Sequence, residues 1–476
     1  MDFITPSQKN IVYGNISAGG DVHIGDIIYH VSEDFNHSIL FLRIEHISAN
    51  NYTAQLTLKS RHFGQKGLAS IGLPLLIQPI QLNISSKLFQ QVSDFQNVRR
   101  FSGFSFRRTE NVNIEALRGD EEQLISLLFD TFFTGDILTV CRDFVDLLEK
   151  RKIKELLLAI SVDDMQIVNL PFEMVIPRFF PEKLGQVRQS LAVNHFGLVR
   201  TLEKDLEQFD MQGKSPSAAP LKMLFVTALP ENMGEENKML EIEEEQKRLI
   251  DAIGSFEATG GQPKIVIEFL DTASLAEISE ALQKHQHDIL HISGHGSYNP
   301  EVNQGFLHLE NEEGNHCKVT GAELGEALRE HQCVKLLILS ACETAIAGNG
   351  VVEQLAAFGL PSIIAMRFSV TDEGAKIFTT ALYEALTKAE TLTQAIAQAR
   401  EQLWDYVKQA RELEPQRPHL AEWFTPVVYL NQYTGTLVNL KEKYMLPEDF
   451  YPRSEYFYFS KTHFEDKNPL VTRIFL

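Results

Sequence analysis

The sequence predicts an α/β protein with a mostly parallel sheet flanked by helices, preceded by a short leader of β type. Apolar stretches such as "KIVIEFL", "DILHIS" and "KLLILS" alternate with amphipathic helical patterns over residues 221–431. Apolar strands between amphipathic helices are typical of parallel sheets that are covered on both faces. The length of 476 residues indicates two or three domain-sized units rather than one core.

Composition divides the chain into five regions. Each region differs from its neighbours in apolar pattern or in turn-forming residues, and segment 204–220 is the most polar, with Gly, Ser and Pro typical of a linker. The regions are a leader at 1–30, a first α/β half at 31–203, the linker at 204–220, a second α/β half at 221–431, and an aromatic-rich tail at 432–476.

The leader contains β-branched pairs separated by glycine and Asn/Asp turns, as in "NISAGGDVHIGD". This pattern predicts a hairpin or a β-arc. The segment is too short to bury a core, so its strands, within residues 10–28, are suited to pair with strands of another molecule. That molecule would be an upstream sensor or a second copy. The alternative is a disordered or isolated hairpin leader.

The first half mixes both kinds of element. "SILFLRIEHI" alternates like a half-buried strand, and "ELLLAISV" is short and apolar like a buried one. "EEQLISLLFDTFF" and "ILTVCRDFVDLLEK" have the apolar spacing of amphipathic helices.

The second half repeats strand and helix in order. Its predicted strands are "LKMLFVTALP", "PKIVIEFLD", "HDILHISGHG", "VKLLILSACET", "PSIIAMRFSV" and "FTPVVYLN". Its predicted helices are "LEIEEEQKRLIDAIGSF", "SLAEISEALQKHQ", "TGAELGEALREHQ", "VVEQLAAFG", "DEGAKIFTTALYEALTKA" and "TLTQAIAQAREQLWDYVKQA".

Charge and composition exclude several classes of protein. The net charge of −20 argues against nucleic-acid binding, which needs cations facing phosphates. It fits basic protein or peptide partners, although a charge that serves solubility explains it equally well. We find no uncharged 18-residue apolar run and no signal peptide, so we expect no membrane partner. Four irregularly spaced cysteines suit free thiols in a reducing cytoplasm.

Two reactive side chains follow two of the predicted strands. His295 comes just after "DILHIS", and Cys342 comes just after "KLLILS". Reactive groups of parallel sheets gather at the carboxyl ends of strands, so neighbouring strands would bring these residues together. A thiol needs a base to become a nucleophile, and a histidine supplies one. The glycines around His295 allow sharp turns and close approach. The backbone N–H groups of Gly296 and Cys342 are candidates for an oxyanion hole.

The same cysteines and histidines also allow other interpretations. A lone cysteine after an apolar run is usually a small buried hydrophobe. His291 and His295 would share a metal ion only on a helix, and the flanking glycines disfavour one. His316 and Cys317 lack a second ligand pair. We therefore expect no metal, and, in the absence of a G-x-x-x-x-G-K phosphate loop, no nucleotide cofactor.

Three motifs resemble a known family. "DILHISGHGSY", "LLILSACETAIAG" and "SIIAMRFSVTDEGAKIFTTALYEAL" resemble successive motifs of the CHAT family of caspase-related proteases, and "LPFEMVIP" through "LAVNHFGLVRTL" resembles its first, non-catalytic half. The resemblance covers residues 110–431. It implies a caspase-like α/β sandwich of clan CD, with His295 as the catalytic histidine and Cys342 as the nucleophile. Phe172, Arg367 and Phe368 depart from the family's tryptophans.

The resemblance also implies a biological setting. It suggests a bacterial cytoplasmic cysteine endopeptidase that cleaves a partner protein, such as a gasdermin-type effector, in an immune or cell-death pathway. The leader is similar to N-terminal motifs of bacterial defence effectors and sensors. The alternatives are a catalytically silent adaptor and a β-assembly scaffold. The acidic residues Glu301, Glu343 and Asp372 are candidates for a pocket facing a basic substrate residue, although a surface or helix-cap role also explains each.

Overall fold

The chain divides into two compact units, which we describe separately. One comprises residues 1–94 and 115–212, and the other comprises residues 95–114 and 213–476. The structure is a computed structural model. It describes residues 22–24, 27–29, 38–60, 78–105, 114–149, 156–179, 196–201, 206–233, 242–254, 264–270, 272–346, 349–368, 370–388, 390–414 and 421–443.

The first unit contains a mixed sheet whose central strand is β3. Strand β3 pairs in parallel with β6, which pairs in parallel with β7, while β4 and β5 add antiparallel strands on the other side of β3. Residues Ile39 to Leu42 of β3 are consecutively buried, because both neighbours and both faces cover a central strand. The strands are β3 Ser38–Ser48, β4 Asn51–Ser60, β5 Ile80–Asn83, β6 Leu156–Val162 and β7 Phe196–Thr201.

A buried ion pair ties the segment after β6 to β7. Arg200 of β7 donates from Nη2 to Oε2 of Glu173 at 2.6 Å and from Nε to Oε1 at 2.9 Å. Its guanidinium lies over the ring of Phe172, 5.6 Å from the ring centroid. The two charges satisfy each other where water is excluded, so removing one partner would leave a buried charge. This pair explains why "LPFE" and "LVR" occur together.

The helices before residue 212 are α1 Ser86–Ser105, α2 Ile114–Phe132, α3 Gly135–Glu149 and the short α4 Met165–Val168, with 3-10 turns at Phe172–Phe179 and Leu206–Gln208. Asp164 caps α4 by accepting hydrogen bonds from the N–H groups of Gln166 and Ile167. No single helix in the described ranges is long and apolar enough to span a membrane, and 120–132 with 135–146 passes that test only as a pair bent by 108°.

The second unit contains the predicted parallel sheet. The strand order is β10-β9-β11-β15-β16-β17, and every neighbouring pair is parallel except β16 with β17. All five residues of β11, β15 and β16 are buried, as expected for strands covered on both faces. The strands are β9 Leu221–Thr227, β10 Ile265–Leu270, β11 Ile289–Ser293, β15 Leu336–Ser340, β16 Ser362–Met366 and β17 Pro426–Leu430.

Four helices of this unit, those starting at residues 275, 321, 372 and 392, begin at described side-chain caps. Thr320 and Thr391 each form a capping box with the residue three positions later, and Thr371 accepts a hydrogen bond from the Gly374 N–H. The helices are α5 Ile242–Gly254, α6 Leu275–His285, α7 Gly321–Leu328, α8 Val351–Ala356, α9 Asp372–Thr387 and α10 Leu392–Leu413, with a 3-10 turn at Glu231–Met233.

Two smaller sheets complete this unit. Strands β12 His295–Asn299, β13 Gln304–Glu310 and β14 His316–Val319 form an antiparallel sheet. Strand β8 Ser217–Ala219, within the predicted linker, pairs in parallel with β18 Val438–Lys443, within the predicted tail. Both segments therefore contribute ordered backbone, which their polar and aromatic compositions did not reveal.

The leader contains one described hairpin. Strands β1 Val22–Ile24 and β2 Ile27–Tyr29 pair antiparallel, with Ile24 opposite Ile27. The remainder of the predicted pairing segment, residues 10–28, lies outside the described residues. With this hairpin, the mixed strands of the first unit and the mostly parallel strands of the second, flanked by helices, the predicted fold class is confirmed.

Candidate active site

His295 and Cys342 leave neighbouring strands at equivalent positions. Strands β11 and β15 are parallel neighbours, and their last residues, Ser293 and Ser340, are register partners. His295 and Cys342 each follow the paired serine by two residues. The Gly294 N–H donates to the Ser340 carbonyl at 3.3 Å, which keeps the two chains together one step beyond the strands. Adjacent β11 and β15 thus carry the two predicted residues to the same end of the sheet.

Gly296 lies against the backbone of Cys342. A Cβ placed on Gly296 would lie 2.3 Å from the Cys342 carbonyl oxygen, a separation that no side chain tolerates. A Cβ on Gly294 would similarly lie 2.8 Å from the Cβ of Ala228. Neither glycine has the left-handed backbone conformation. The two glycines are therefore required for close approach, and the chain bends at Gly294 between β11 and β12.

Ser293 also connects the sheet to a helix. Its hydroxyl donates to Oε2 of Glu245 in α5 at 2.7 Å, and both side chains are buried. A hydrogen bond to a carboxylate away from water is stronger than a neutral one. This contact fixes the end of β11 just before His295. The sequence analysis missed Glu245, because it lies within a run of glutamates that looks like a solvated helix face.

Thr344 connects the Cys342 loop to the next strand. Its hydroxyl donates to the Ala341 carbonyl at 2.9 Å and accepts from the Met366 N–H of β16 at 3.2 Å. The side chain is 1% exposed. One hydroxyl thereby holds both sides of the loop that carries Cys342. In the sequence, the only sign of this role is the position of the threonine two residues after the cysteine.

Glu343 bridges the Cys342 loop to the His295 strand. Its Oε2 accepts a hydrogen bond from the Tyr298 N–H of β12 at 3.3 Å. Its backbone φ is 59°, a left-handed conformation that glutamate rarely adopts. Such backbone outliers persist only where surrounding contacts impose them, and they are common at functional sites. The carboxylate that the sequence suggested for a substrate pocket is thus engaged in the site's own framework.

The other two pocket candidates lie in different elements. Glu301 is exposed in the turn between β12 and β13, and its N–H donates to Oδ1 of Asn299 at 2.9 Å. Asp372 is the first residue of α9, whose cap is Thr371. The described contacts of Glu301 and Glu343 both reach β12, at Asn299 and at Tyr298. A shared acidic pocket stays a prediction.

The two histidines of "HISGH" occupy different environments. His291 is 0% exposed in β11, with its ring against Phe225 and its Nδ1 3.1 Å from the Tyr383 hydroxyl. Burial lowers the pKa of His291 to about 3. His295, in contrast, is partly exposed at the start of β12. Only His295 therefore combines the strand-end position with access from outside.

A second pair of histidines lies beside His295, and the sequence analysis did not identify its role. His308 of β13 is the register partner of His295, and its Nε2 is 2.7 Å from the Ser297 hydroxyl. Its Nδ1 is 2.8 Å from Nε2 of His316. Burial, reinforced by His316, His295 and Lys318, lowers the pKa of His308 to about 4. A neutral His308 therefore adds no positive charge beside His295 near neutral pH.

The four thiols differ in availability. All four cysteines are unbridged. Burial raises the pKa of Cys141 to about 12, and burial also raises the pKa of Cys333. A raised pKa suppresses the thiolate, which is the reactive form. Cys342 is partly exposed and is the cysteine that directly follows β15 at its carboxyl end.

One group of described residues has the donor atoms of a metal site. Glu268, His285 and His287 place one donor atom each within 4.8 Å of the others. Glu268 lies in β10, His285 ends α6 and His287 follows it; the group does not include the ligands considered from the sequence, His291, His295, His316 and Cys317.

Comparison with known proteins gives a family and a set of structural relatives. The family model for the CHAT domain matches residues 122–429, more than half of the chain. No curated protein matches the chain. Two crystal structures of the Saccharomyces cerevisiae separase–securin complex are similar, each at 10% identity, with TM-scores of 0.42 and 0.47. The alignments cover 86% and 84% of this chain and 30% of theirs, so this chain spans less than a third of those chains.

Proposed function

The chain belongs to the CHAT-domain family, and from this premise we propose that it is a cysteine endopeptidase with Cys342 as nucleophile and His295 as general base. One observation carries the proposal. The two residues follow register partners Ser293 and Ser340 by the same two-residue step, on adjacent parallel strands. The contact between Gly296 and the Cys342 carbonyl supports it, because it holds the two segments side by side.

The proposed reaction proceeds in two stages. His295 takes the proton of the Cys342 thiol, and the sulfur attacks the peptide carbonyl carbon. The N–H groups of Gly296 and Cys342 are proposed to stabilise the oxyanion. His295 then protonates the leaving amine, which breaks the C–N bond and leaves a thioester on Cys342. Water activated by His295 hydrolyses the thioester and restores the thiol.

The substrate is proposed to be a protein. A gasdermin-type or other effector in a bacterial immune or cell-death pathway is the expected class, by analogy with the family alone. A reducing cytoplasm is the proposed location, because all four cysteines are unbridged. A basic residue before the cleaved bond is proposed from the acidic residues Glu301, Glu343 and Asp372; the side chain of Glu301 is exposed and that of Glu343 is partly exposed.

The second candidate function is a silent adaptor or a scaffold that assembles through the leader. The hairpin of Val22–Ile24 with Ile27–Tyr29 favours this candidate, since a short β-pair offers edges for added strands. The two candidates are compatible if the leader recruits the enzyme to a sensor or to another copy.

Proteolysis of a peptide library tests the proposal. We expect the wild-type chain to cleave and Cys342→Ala to lose all cleavage while keeping its fold. The matched controls Cys141→Ala, Cys317→Ala and Cys333→Ala should each keep activity. Cleavage by Cys342→Ala above a few per cent of wild type would exclude Cys342 as the nucleophile. A wild-type chain that is inert toward both peptides and thiol-reactive probes would favour the adaptor.

A further inference from the structure

A carboxylate and two imidazoles converge at the amino-terminal end of β11. Oε2 of Glu268 lies 2.6 Å from Nδ1 of His285 and 2.8 Å from Nε2 of His287. Both rings therefore direct a nitrogen at the same oxygen atom. Glu268 belongs to β10, the outermost strand on that side of the described sheet; His285 is the last residue of α6, and His287 follows two residues later.

The local backbone explains why both rings point the same way. His285 is the last residue of α6, and Gln286 ends the helix with a left-handed φ of 52° while its N–H donates to the Leu282 carbonyl. This reversal places His287 beyond the helix, on the way into β11. A helix carboxyl terminus carries partial negative charge and attracts cations. The Lys222 ammonium already binds at this helix end, where it donates a hydrogen bond to the His285 carbonyl at 2.5 Å.

Burial makes the donors suitable for a metal ion. The side chains of His285 and His287 are 4% and 0% exposed, whereas that of Glu268 is 28% exposed. A metal ion binds the unprotonated nitrogens of histidine rings, and here both rings direct a nitrogen at the Glu268 carboxylate. The partly exposed side of Glu268 leaves room for a water ligand and for entry of the ion.

We propose that Glu268, His285 and His287 form a binding site for Zn²⁺ or a similar divalent transition-metal ion. Two imidazoles and a carboxylate are a donor set that zinc commonly takes, with bonds of about 2.0–2.2 Å. Tetrahedral ligands at that bond length lie about 3.3 Å apart. The two carboxylate–imidazole distances, 2.6 and 2.8 Å, need to grow by less than about 1 Å, and the two imidazole nitrogens lie within 4.8 Å of each other. Glu268, the exposed member, is free to make that adjustment.

The site would act as a structural brace. His287 precedes the first residue of β11 by two positions, whereas His295 follows the last residue by two. The metal and the reacting atoms are thus at opposite ends of the strand. Metal binding would join the end of α6 to β10, so its expected effect is greater stability of the sheet edge. Without metal, Glu268 accepts a hydrogen bond from each ring instead.

Metal titration of the full chain tests this site. The protein is freed of metal with a chelator, and Zn²⁺ binding is measured by calorimetry and by thermal unfolding. Co²⁺ spectra then report the ligand type, because thiolate ligands add a charge-transfer band that nitrogen and oxygen ligands lack. We expect one tight site without that band and a higher Tm with Zn²⁺.

Variants with a matched control complete the test. Glu268→Gln and His285→Gln should each weaken Zn²⁺ affinity on the order of 100-fold. His331→Gln should bind as wild type does, since His331 contacts Ser279 of the same helix but lies outside the cluster. If His285→Gln does not fold, the partly exposed Glu268→Gln decides. Absence of tight binding in the wild type, or unchanged binding in Glu268→Gln, would overturn the proposal.

Discussion

Ser293 and Ser340 are register partners at the carboxyl ends of adjacent parallel strands. This pairing is the structural basis of the candidate site, because it fixes the step at which His295 and Cys342 leave the sheet. The neighbouring contacts all act on these two segments. Glu245 holds Ser293, Thr344 holds the Cys342 loop, and Glu343 joins that loop to β12.

The two histidines of "HISGH" should respond differently to substitution. His295→Ala should lower turnover by roughly two to four orders of magnitude, the usual effect of losing a general base. His291→Ala should cost far less turnover and more stability, because His291 is enclosed between Phe225 and Tyr383. Steady-state kinetics and urea unfolding of both variants measure this. The reverse pattern would mean that His291 is the base.

Glu343 should affect activity by holding the Cys342 loop against β12. Glu343→Ala removes the acceptor of the Tyr298 N–H, so we expect a loss of about 1 kcal/mol of stability together with reduced turnover. Glu313→Ala is the matched control, because it removes an exposed carboxylate from the turn between β13 and β14. Equal effects of the two substitutions on turnover and unfolding would show that the bridge contributes nothing.

The left-handed backbone at Glu343 allows a separate measurement. Glycine adopts a φ of 59° without the cost that alanine carries. Glu343→Gly should therefore be more stable than Glu343→Ala by about 1 kcal/mol. Urea unfolding of the two variants compares them directly. If glycine gives no advantage, the left-handed conformation at this residue is incorrect.

Stability should decrease in acid because His291 is buried in its neutral form. Its pKa is lowered to about 3, whereas an unfolded histidine titrates near 6.5. Between these values the unfolded chain binds a proton that the folded chain does not, so stability is full above about pH 6.5 and falls as the pH decreases toward 3. The slope from this residue is about 1.4 kcal/mol per pH unit.

His291→Asn removes this titration and should make the pH dependence of unfolding shallower by up to one proton. Unfolding in urea at several pH values between 7 and 5 measures the slope. His46→Asn, at an exposed position of the first unit, is the control for the histidine-to-asparagine change itself. An unchanged slope in His291→Asn would contradict the assigned burial.

Hydrophobic patterning predicted most of the sheet of the second unit. Each of the six predicted strands contains one observed strand, because consecutive buried residues leave a continuous apolar run in the sequence. The observed strands are β9, β10, β11, β15, β16 and β17. The six helices were similarly evident from their spacing and caps. The position of His295 and Cys342 at strand ends followed from the same pattern.

The smaller antiparallel sheet was not predicted. His295 starts β12, which we had treated as a glycine loop, and β12 has no fully buried residue. Strand β13 does alternate, but its seven residues follow a turn and give a short signal. The contacts of Glu343 and Thr344 depend on backbone placed by distant strands. These contacts join residues that are far apart in the chain, so the local sequence cannot predict them.

Removing the leader should separate recruitment from chemistry. Deletion of residues 1–30 should leave Cys342 reactive toward an active-site electrophile and abolish partner cleavage in cells. Proline at Val22 or Ile24, both within β1, should have the same effect because it removes a backbone N–H. Electrophile labelling of the purified variants and cleavage of the partner in cells measure the two functions.

Two outcomes would contradict this role of the leader. If the truncated chain no longer labels, the leader is required for folding of the site. If partner cleavage in cells survives truncation, the leader does not recruit the enzyme.

The most direct test of the His295–Cys342 site is mass-spectrometric mapping of a thiol-reactive peptide electrophile on the wild type and on His295→Ala. We predict that the wild type is modified selectively at Cys342 and that His295→Ala is modified there at a rate lower by roughly two orders of magnitude or more. Cys317, another partly exposed thiol, serves as the internal reference in each sample. Equal labelling of Cys342 and Cys317 in the wild type, or a Cys342 rate independent of His295, would contradict the proposed nucleophile and base.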